Sequence, residues 1–395
     1  MEKLRQLIDA FFAHKRFNLF AGAIITVLVL IAYANTFTAS FHFDDNPAIV
    51  ENADIRHITL GNILKMLQSN RPVVSFSLLL NYQVHGLNVV GYHIFNIAVH
   101  IFNSYFLYLL IERTLSMPSL VQRYGGRARR IALFTVLLFA VHPIQTESVT
   151  YIISRSELLA LFFYLATFLF FIKGTRREHG SLNYYLAAAF MALLAMMSKE
   201  WAATLPAMLA LYDYFFLSDS RVKPVLARWY AYILVMLPWT YLYYSVSLFV
   251  PQSQNPAIGF NVTTALGINA QTYFLTSMNV IWTYIRLLIL PINQNLDYAY
   301  PIAKTLFEFP TILSFVGHIV IFAGATWGYV KKKWTIIPFG VAWFYIGLSP
   351  TQSIVPIVDV IFEHRLYMPS IGFFLVAVVL YEQLFDWLEK RKHMA

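Results

Sequence analysis

The chain has 395 residues, of which 58% are hydrophobic and only 12% charged. A soluble domain carries about 25% charged residues, so lipid must be the solvent for much of this chain; its 17% aromatic content suits belts at two membrane interfaces. The formal charge of +9 lies in short clusters between apolar runs, the pattern of loops beside anionic lipid rather than of a nucleic-acid surface, and the absence of cysteine excludes disulfides and thiolate metal sites.

A membrane helix needs about 20 mostly apolar residues. Segment 17–37 qualifies, with no charge inside it, and is too long and too poorly followed by a cleavage site to be a removed signal peptide. Further spans are expected at 92–111, 130–149, 157–173, 183–199, 201–217, 229–250, 311–330, 335–349 and 366–386. Basic clusters orient them: Lys3, Arg5, Lys15 and Arg16 precede the first span, Arg123 to Arg130 the third, and Arg221, Lys223 and Arg228 the seventh. Lys173, Arg176 and Arg177 follow the fourth, Lys331 to Lys333 follow 311–330, and Lys390 to Lys392 close the chain. If all are cytoplasmic, both termini are cytoplasmic. Segment 270–291 must then not cross, because a crossing there would put Lys331 to Lys333 outside. Its Gln271, Thr272, Asn279 and Arg286 fit a partial or re-entrant element. The expectation is an all-α polytopic bundle of about ten crossings, one domain over 1–395 with no soluble domain. Outer loops lie at 38–91 and 251–269, the first structured and holding an amphipathic stretch at 58–67.

Ionisable groups at a membrane edge are expensive and are therefore functional candidates. The expected outer ends collect them in six clusters. Asp44 and Asp45 follow the first span and read either as a base with an orienting partner or as a solvated acidic turn. Arg71 has no obvious structural task and could meet a phosphate. His93, Asn96 and His100 fall on one helical face, which favours an interhelical hydrogen-bond network over a metal site. Glu147, Arg155 and Glu157 could pair with each other or serve a substrate. Lys199 and Glu200 occupy a tight turn, Asp297 and Tyr298 follow the non-crossing element, and Glu363, His364, Arg365 and Tyr367 open the last span. Arg365 can grip a phosphate with two parallel donors or snorkel to the interface. Transporters place such groups at mid-depth on broken helices; the mid-span regions here are almost free of charge. Clustering on one side suits an enzyme that takes a lipid-borne substrate.

The ordered set FDDNPAIVENADI (43–55), RPVVSFSLLLNYQVHGLNVVGYHIFNIAVHIFNSYFLYLL (71–110), LLFAVHPIQTESVTYIISRSELLA (137–160), SKE (198–200), NLDY (295–298) and EHRLYMPSIGF (363–373) resembles the GT-C superfamily of membrane glycosyltransferases. It is most similar to the membrane half of the transmembrane-and-TPR protein O-mannosyltransferases. The resemblance implies inverting transfer of a sugar from a polyprenyl-phosphate carrier to a hydroxyl acceptor, with Ser/Thr of a protein favoured, on the outer face. It implies Asp44 as base, with Asp45 orienting the acceptor or binding the sugar. Arg365, Lys199, Arg71 and Arg155 are then expected to bind the donor phosphate, and His93, Glu147, Glu200, Asp297, Tyr298, Glu363, His364 and Tyr367 to line the substrate site. No cofactor is expected and a divalent metal is left open. The family's members continue into TPR repeats, whereas this sequence stops at Ala395, so a separate acceptor-recognition subunit is expected, and by size and analogy a bacterial inner membrane. The competing readings are a transporter or flippase of lipid-linked sugar, a glycosyltransferase with a glycan or lipid acceptor, and a non-catalytic membrane subunit.

Overall fold

The computed structural model describes residues 10–176, 181–243 and 268–392, and the described residues contain helices and no strand. The expected outer loop 251–269 and the end of the expected span 229–250 fall largely outside them. The helices that carry the argument are α1 (Phe17–Ala32), α2 (Leu60–Leu67), α3 (Pro72–His85), α4 (Val89–Leu115), α5 (Ala128–Val141), α6 (Thr146–Thr150) and α7 (Arg155–Thr175). They continue as α8 (Leu182–Met196), α9 (Leu205–Tyr212), α10 (Trp229–Met236), α11 (Ala270–Ile289), α12 (Phe309–Lys332), α13 (Ile336–Leu348) and α14 (Ser370–Lys392).

The expected count of about ten crossings is not reached by helix length. Four helices are long and apolar enough to span: Val89–Leu115, Ile152–Thr175, Phe309–Lys332 and Ser370–Arg391. A fifth span passes only as a broken pair, Pro118–Val141 with Pro143–Thr150, bent by 53°. The break has a local cause. Pro143 disfavours helical geometry at the residue before it, and His142 is extended at φ −67 ψ 133. We therefore take the span to end at Val141. Helices α1, α8 and α13 are apolar but have only 16, 15 and 13 residues. The expected span 201–217 is divided into a 3-10 turn, α9 and a π turn. Segment 270–291, expected to be re-entrant or partial, forms the continuous 20-residue helix α11. That helix packs on α12: Asn279 Nδ2 donates to Thr311 Oγ1 at 3.0 Å and Trp282 Nε1 to Ser314 O at 2.9 Å. The amphipathic stretch expected at 58–67 appears as the short α2, capped by Thr59 Oγ1, which accepts from Asn62 N.

Helix α4 is the spine. Lipid offers no partner to a polar group, so its polar side chains bond across helices. His100 Nε2 donates to Ala140 O on α5 at 2.9 Å, and its Nδ1 accepts from Tyr367 Oη at 2.7 Å. Asn103 Nδ2 donates to Leu158 O on α7 at 2.8 Å. The stripe read from spacing as a network is such a network.

Charges separate to the two ends of this bundle. At one end Arg130 donates twice to Glu382 (3.0 and 2.6 Å), Arg127 reaches Asp386, and Arg129 donates to Phe12 O at 2.9 Å. At the other end the segments after α1, α5, α8, α11 and α13 converge. Val73 N donates to Met197 O, Asp44 N to Tyr151 Oη, and Gln294 Nε2 to Pro143 O. The last helix is locked in place by a close crossing of α13 and α14. A Cβ added at Gly372 would lie 2.3 Å from Gly340 O, so only glycine lets the backbones meet there. Gly372→Ala is expected to destabilise the fold by about 1–3 kcal/mol through overpacking, read as a lower thermal midpoint in detergent; an unchanged midpoint would contradict the close crossing.

Candidate active site

The converging end encloses a cavity of about 320 Å³ lined by Asp44, Arg71, Tyr151, Glu157, Lys199, Glu200, His364 and Arg365 among others. Six of the residues expected to act share this space: Asp44, Arg71, Lys199, Glu200, His364 and Arg365. Each arrives from a different kind of break in the chain. Asp44 sits in a turn whose neighbour Phe43 has φ 44, a left-handed conformation that costs on the order of 1–3 kcal/mol for a non-glycine residue. Asp45 holds that turn: Oδ2 accepts from His42 N at 3.1 Å and Oδ1 from Ile153 N at 2.9 Å. Arg71 precedes Pro72 at the first position of α3, where a missing N–H is harmless. Lys199 and Glu200 form the turn after α8, and Glu363 to Leu366 form a 3-10 turn just before α14.

The two adjacent acids therefore differ. Asp45 is 1% exposed with both oxygens bonded to backbone, and burial raises its pKa above the ordinary carboxylate range. Asp44 is exposed to the cavity, and among the described residues its carboxylate has no hydrogen bond or ion pair. The cations also differ. Arg71 makes a two-point bond to Glu200, both contacts 3.1 Å. Lys199 pairs with Glu157 at 2.7 Å, and burial lowers its pKa. Arg365 has no ion pair among the described residues; its Nη1 is buried without a hydrogen-bond partner, and its guanidinium lies 5.3 Å from the Phe362 ring centre. A buried unpaired donor costs about 1–3 kcal/mol; among the described residues Nη1 has no acceptor, while the Tyr273 hydroxyl faces the same guanidinium.

A second cavity, of about 380 Å³, adjoins the first and shares Tyr151 with it. It is lined by Asp45, Glu147 and Glu363 with amides from Gln294 and Asn295, and by neither Lys nor Arg. The partition between the cavities contains Glu147 and His364. Glu147 Oε1 contacts His364 Nδ1 at 2.5 Å, and Oε2 accepts from His364 N at 2.8 Å. Burial pushes Glu147 up to about 7, and burial together with the Lys199 charge holds His364 well below its ordinary value. Glu363 is committed to the NLDY segment. It accepts from Gln294 Nε2 at 2.6 Å, from Asn295 N at 2.8 Å and from the Tyr298 hydroxyl. Asp297 is exposed and lines a separate cavity of about 250 Å³.

The other expected site residues lie off the cavities. Arg155 is fully buried behind the first one and donates to Asn96 Oδ1 at 2.9 Å, Asn81 Oδ1 at 2.7 Å and the Ser77 carbonyl at 3.3 Å, with Phe95 under its guanidinium. His93 donates from Nε2 to Ala39 O at 3.1 Å, and Tyr367 is taken up by His100 and Asn103. Tyr151 was not singled out from the sequence, since one tyrosine among 25 carries no local signal. Among the described residues no group of three His, Asp or Glu side chains could hold a metal ion.

This end of the bundle thus combines, in one cavity, a free carboxylate and an arginine without an ion pair. No family model matches the chain, and no solved structure matches it. Curated relatives do. The chain is 28% identical over 233 residues to protein O-mannosyl-transferase TMTC4 of Homo sapiens, covering 53% of this chain and 31% of that protein. It is 32% identical over 214 residues to protein O-mannosyl-transferase Tmtc1 of Drosophila melanogaster (51% and 23%), and 26% identical over 439 residues to Tmtc3 of the same organism (93% and 46%). These relatives are protein O-mannosyltransferases, and the resemblance read from the motifs is thus found independently. The chain spans between about a quarter and a half of the length of these relatives. They are animal proteins, which withdraws the argument from size for a bacterial inner membrane.

Arg155→Met would leave the Asn81 and Asn96 acceptors unpaired in a dry interior. It is expected to destabilise the fold by about 3 kcal/mol while the folded fraction keeps its ligand affinity; lost affinity at unchanged thermal stability would contradict a structural role.

Proposed function

We propose that the chain is an inverting glycosyltransferase that moves mannose from a polyprenyl-phosphate carrier to a Ser or Thr hydroxyl of a protein, on the outer face of its membrane. The observation that carries this reading is the sharing of one cavity by the free carboxylate of Asp44 and the unpaired guanidinium of Arg365. The names of the relatives support the mannosyl group and the protein acceptor.

The chemistry follows from the charges. Asp44 takes the acceptor proton as the hydroxyl oxygen attacks the anomeric carbon, and the phosphate leaves from the opposite face with the bonding electrons. No residue bonds to the sugar, so one displacement inverts the anomeric centre. The phosphate is a better leaving group than the alkoxide of glycoside hydrolysis, so its departure does not depend on a second carboxyl group. It needs fixed positive charge in a dry site. Arg365 supplies that charge directly. Arg71 and Lys199 supply it while their carboxylate partners hold them in place. Asp45 acts through the backbone, by fixing the turn that presents Asp44. The second cavity, with amides and acids, fits the polar backbone of an acceptor peptide that reaches Asp44 past Tyr151.

Asp44→Asn in purified full-length chain is expected to lower transfer to an acceptor peptide about a thousandfold, measured by mass spectrometry of the product, with donor binding retained. Full activity in that variant would reject Asp44 as base. Arg365→Ala is expected to weaken donor binding at least tenfold, or about 1.4 kcal/mol, with the thermal midpoint kept because no intramolecular ion pair is lost; unchanged donor affinity would reject its role.

A further inference from the structure

His364 is placed as a carboxylate-oriented imidazole whose second nitrogen serves the cavity. Glu147 holds the residue at two points, its side-chain Nδ1 at 2.5 Å and its backbone N at 2.8 Å. Phe362 stacks on the ring with centroids 5.0 Å apart. Three contacts leave the imidazole little freedom, and with Nδ1 engaged, Nε2 is the free edge. His364 lines the cavity that also contains Arg365 and Lys199. The nearest acid to Nε2 is Glu157 Oε1 at 3.8 Å, too far for a hydrogen bond. Glu157 is itself taken up by Lys199 at 2.7 Å and Trp201 Nε1 at 2.5 Å.

We propose that the Glu147–His364 pair is the proton donor to the departing phosphate: His364 Nε2–H hydrogen-bonds a phosphate oxygen of the bound donor and passes its proton to that oxygen as the anomeric C–O bond breaks. This rests on the glycosyltransferase reading above. The protons balance. The acceptor proton goes to Asp44, the electron pair of the broken bond goes to the phosphate oxygen, and the pair's proton goes to the phosphate, which leaves as a monoanion. Water then carries the proton from Asp44 and restores the pair. Two states of the pair matter. With one proton beyond the carboxylate and neutral ring, the Glu147–His364 hydrogen bond holds one hydrogen and Nε2 holds another, so Nε2 donates. When that proton is lost, Nδ1–H points at the carboxylate and Nε2 is bare.

Groups facing the pair from the surrounding segments are Glu157, Lys199, Arg71 and Arg365, across the cavity Asp44, and on the Glu147 side His42, Asp45, Tyr151, Tyr284 and Glu363. In the empty cavity the cations oppose a proton on the ring. An incoming phosphate neutralises them and favours it. Burial that pushes Glu147 up to about 7 keeps the extra proton available near neutral pH. The sign is that of a group which must be protonated to act: donation is complete below that range and is lost as pH rises through it.

The test uses the full chain in detergent and a polyprenyl methyl phosphodiester, which carries one negative charge at every pH of interest and so contributes no titration of its own. Wild type is expected to bind this probe about tenfold more tightly at pH 6 than at pH 8.5, with His364→Gln binding it equally at both. Glu147→Gln, whose single amide oxygen must accept from the His364 backbone N–H and whose NH2 then donates to Nδ1, keeps the hydrogen on Nε2 and is expected to bind at pH 8.5 as wild type does at pH 6; it also serves if His364→Gln does not fold. Probe binding that is independent of pH in wild type, or that keeps the wild-type pH dependence in either variant, would overturn the proton-donor role alone. No probe binding by wild type at any pH would overturn the polyprenyl-phosphate reading itself.

Discussion

The arrangement depends on the expense of an unpaired charge away from water. Most ionisable groups that the converging segments bring to the cavity answer that expense with partners: Arg71 with Glu200, Lys199 with Glu157, His364 with Glu147. These pairs join segments that are far apart in the chain, so they also draw the breaks between helices into one wall. Pairs as buried as Lys199–Glu157 add little net stability once desolvation is counted. Their value is positional. What they leave over in this cavity is one acid, Asp44, and one cation, Arg365, neither with an ion-pair partner among the described residues. The charge left unmatched in that cavity is the part open to a ligand.

The bundle beneath exists to hold that wall rigid. Its polar side chains are consumed within it, on α4 by His100 and Asn103 and at the opposite end by the Arg127 and Arg130 bonds to Glu382 and Asp386. The glycine crossing of α13 and α14 fixes the start of the last helix, and with it the turn carrying His364 and Arg365. Asp45 does the same for the first loop by bridging His42 and Ile153. An acid that looks catalytic beside its neighbour has both of its oxygens bonded to backbone.

Much of this was legible in the sequence, for identifiable reasons. Apolar runs and basic clusters marked the bundle and the separation of its ends, because lipid imposes that pattern on any chain. The clusters after each span named Asp44, Arg71, Lys199, His364 and Arg365, since ionisable groups are rare enough in such a chain to stand out. Spacing read the α4 stripe as a network. Spacing could not separate Asp44 from Asp45, because their difference is made by Ile153, 108 residues away. Nor could it tell that Arg155 is enclosed by Asn81 and Asn96 while Arg365 is left open; both read as arginines at the mouth of a span. Helix length supports fewer crossings than the apolar runs suggest, because apolar composition persists through breaks such as His142–Pro143 and through the turns that divide 201–217, where helix geometry does not.

The most direct test is a structure of the chain with a polyprenyl-phosphate sugar bound. The phosphate should lie against the Arg365 guanidinium, in the cavity shared with Lys199, with the sugar directed toward the Asp44 carboxylate. A donor seated in the neighbouring cavity beside Asp45 and Glu363, with Arg365 still unpartnered, would contradict the account at its centre.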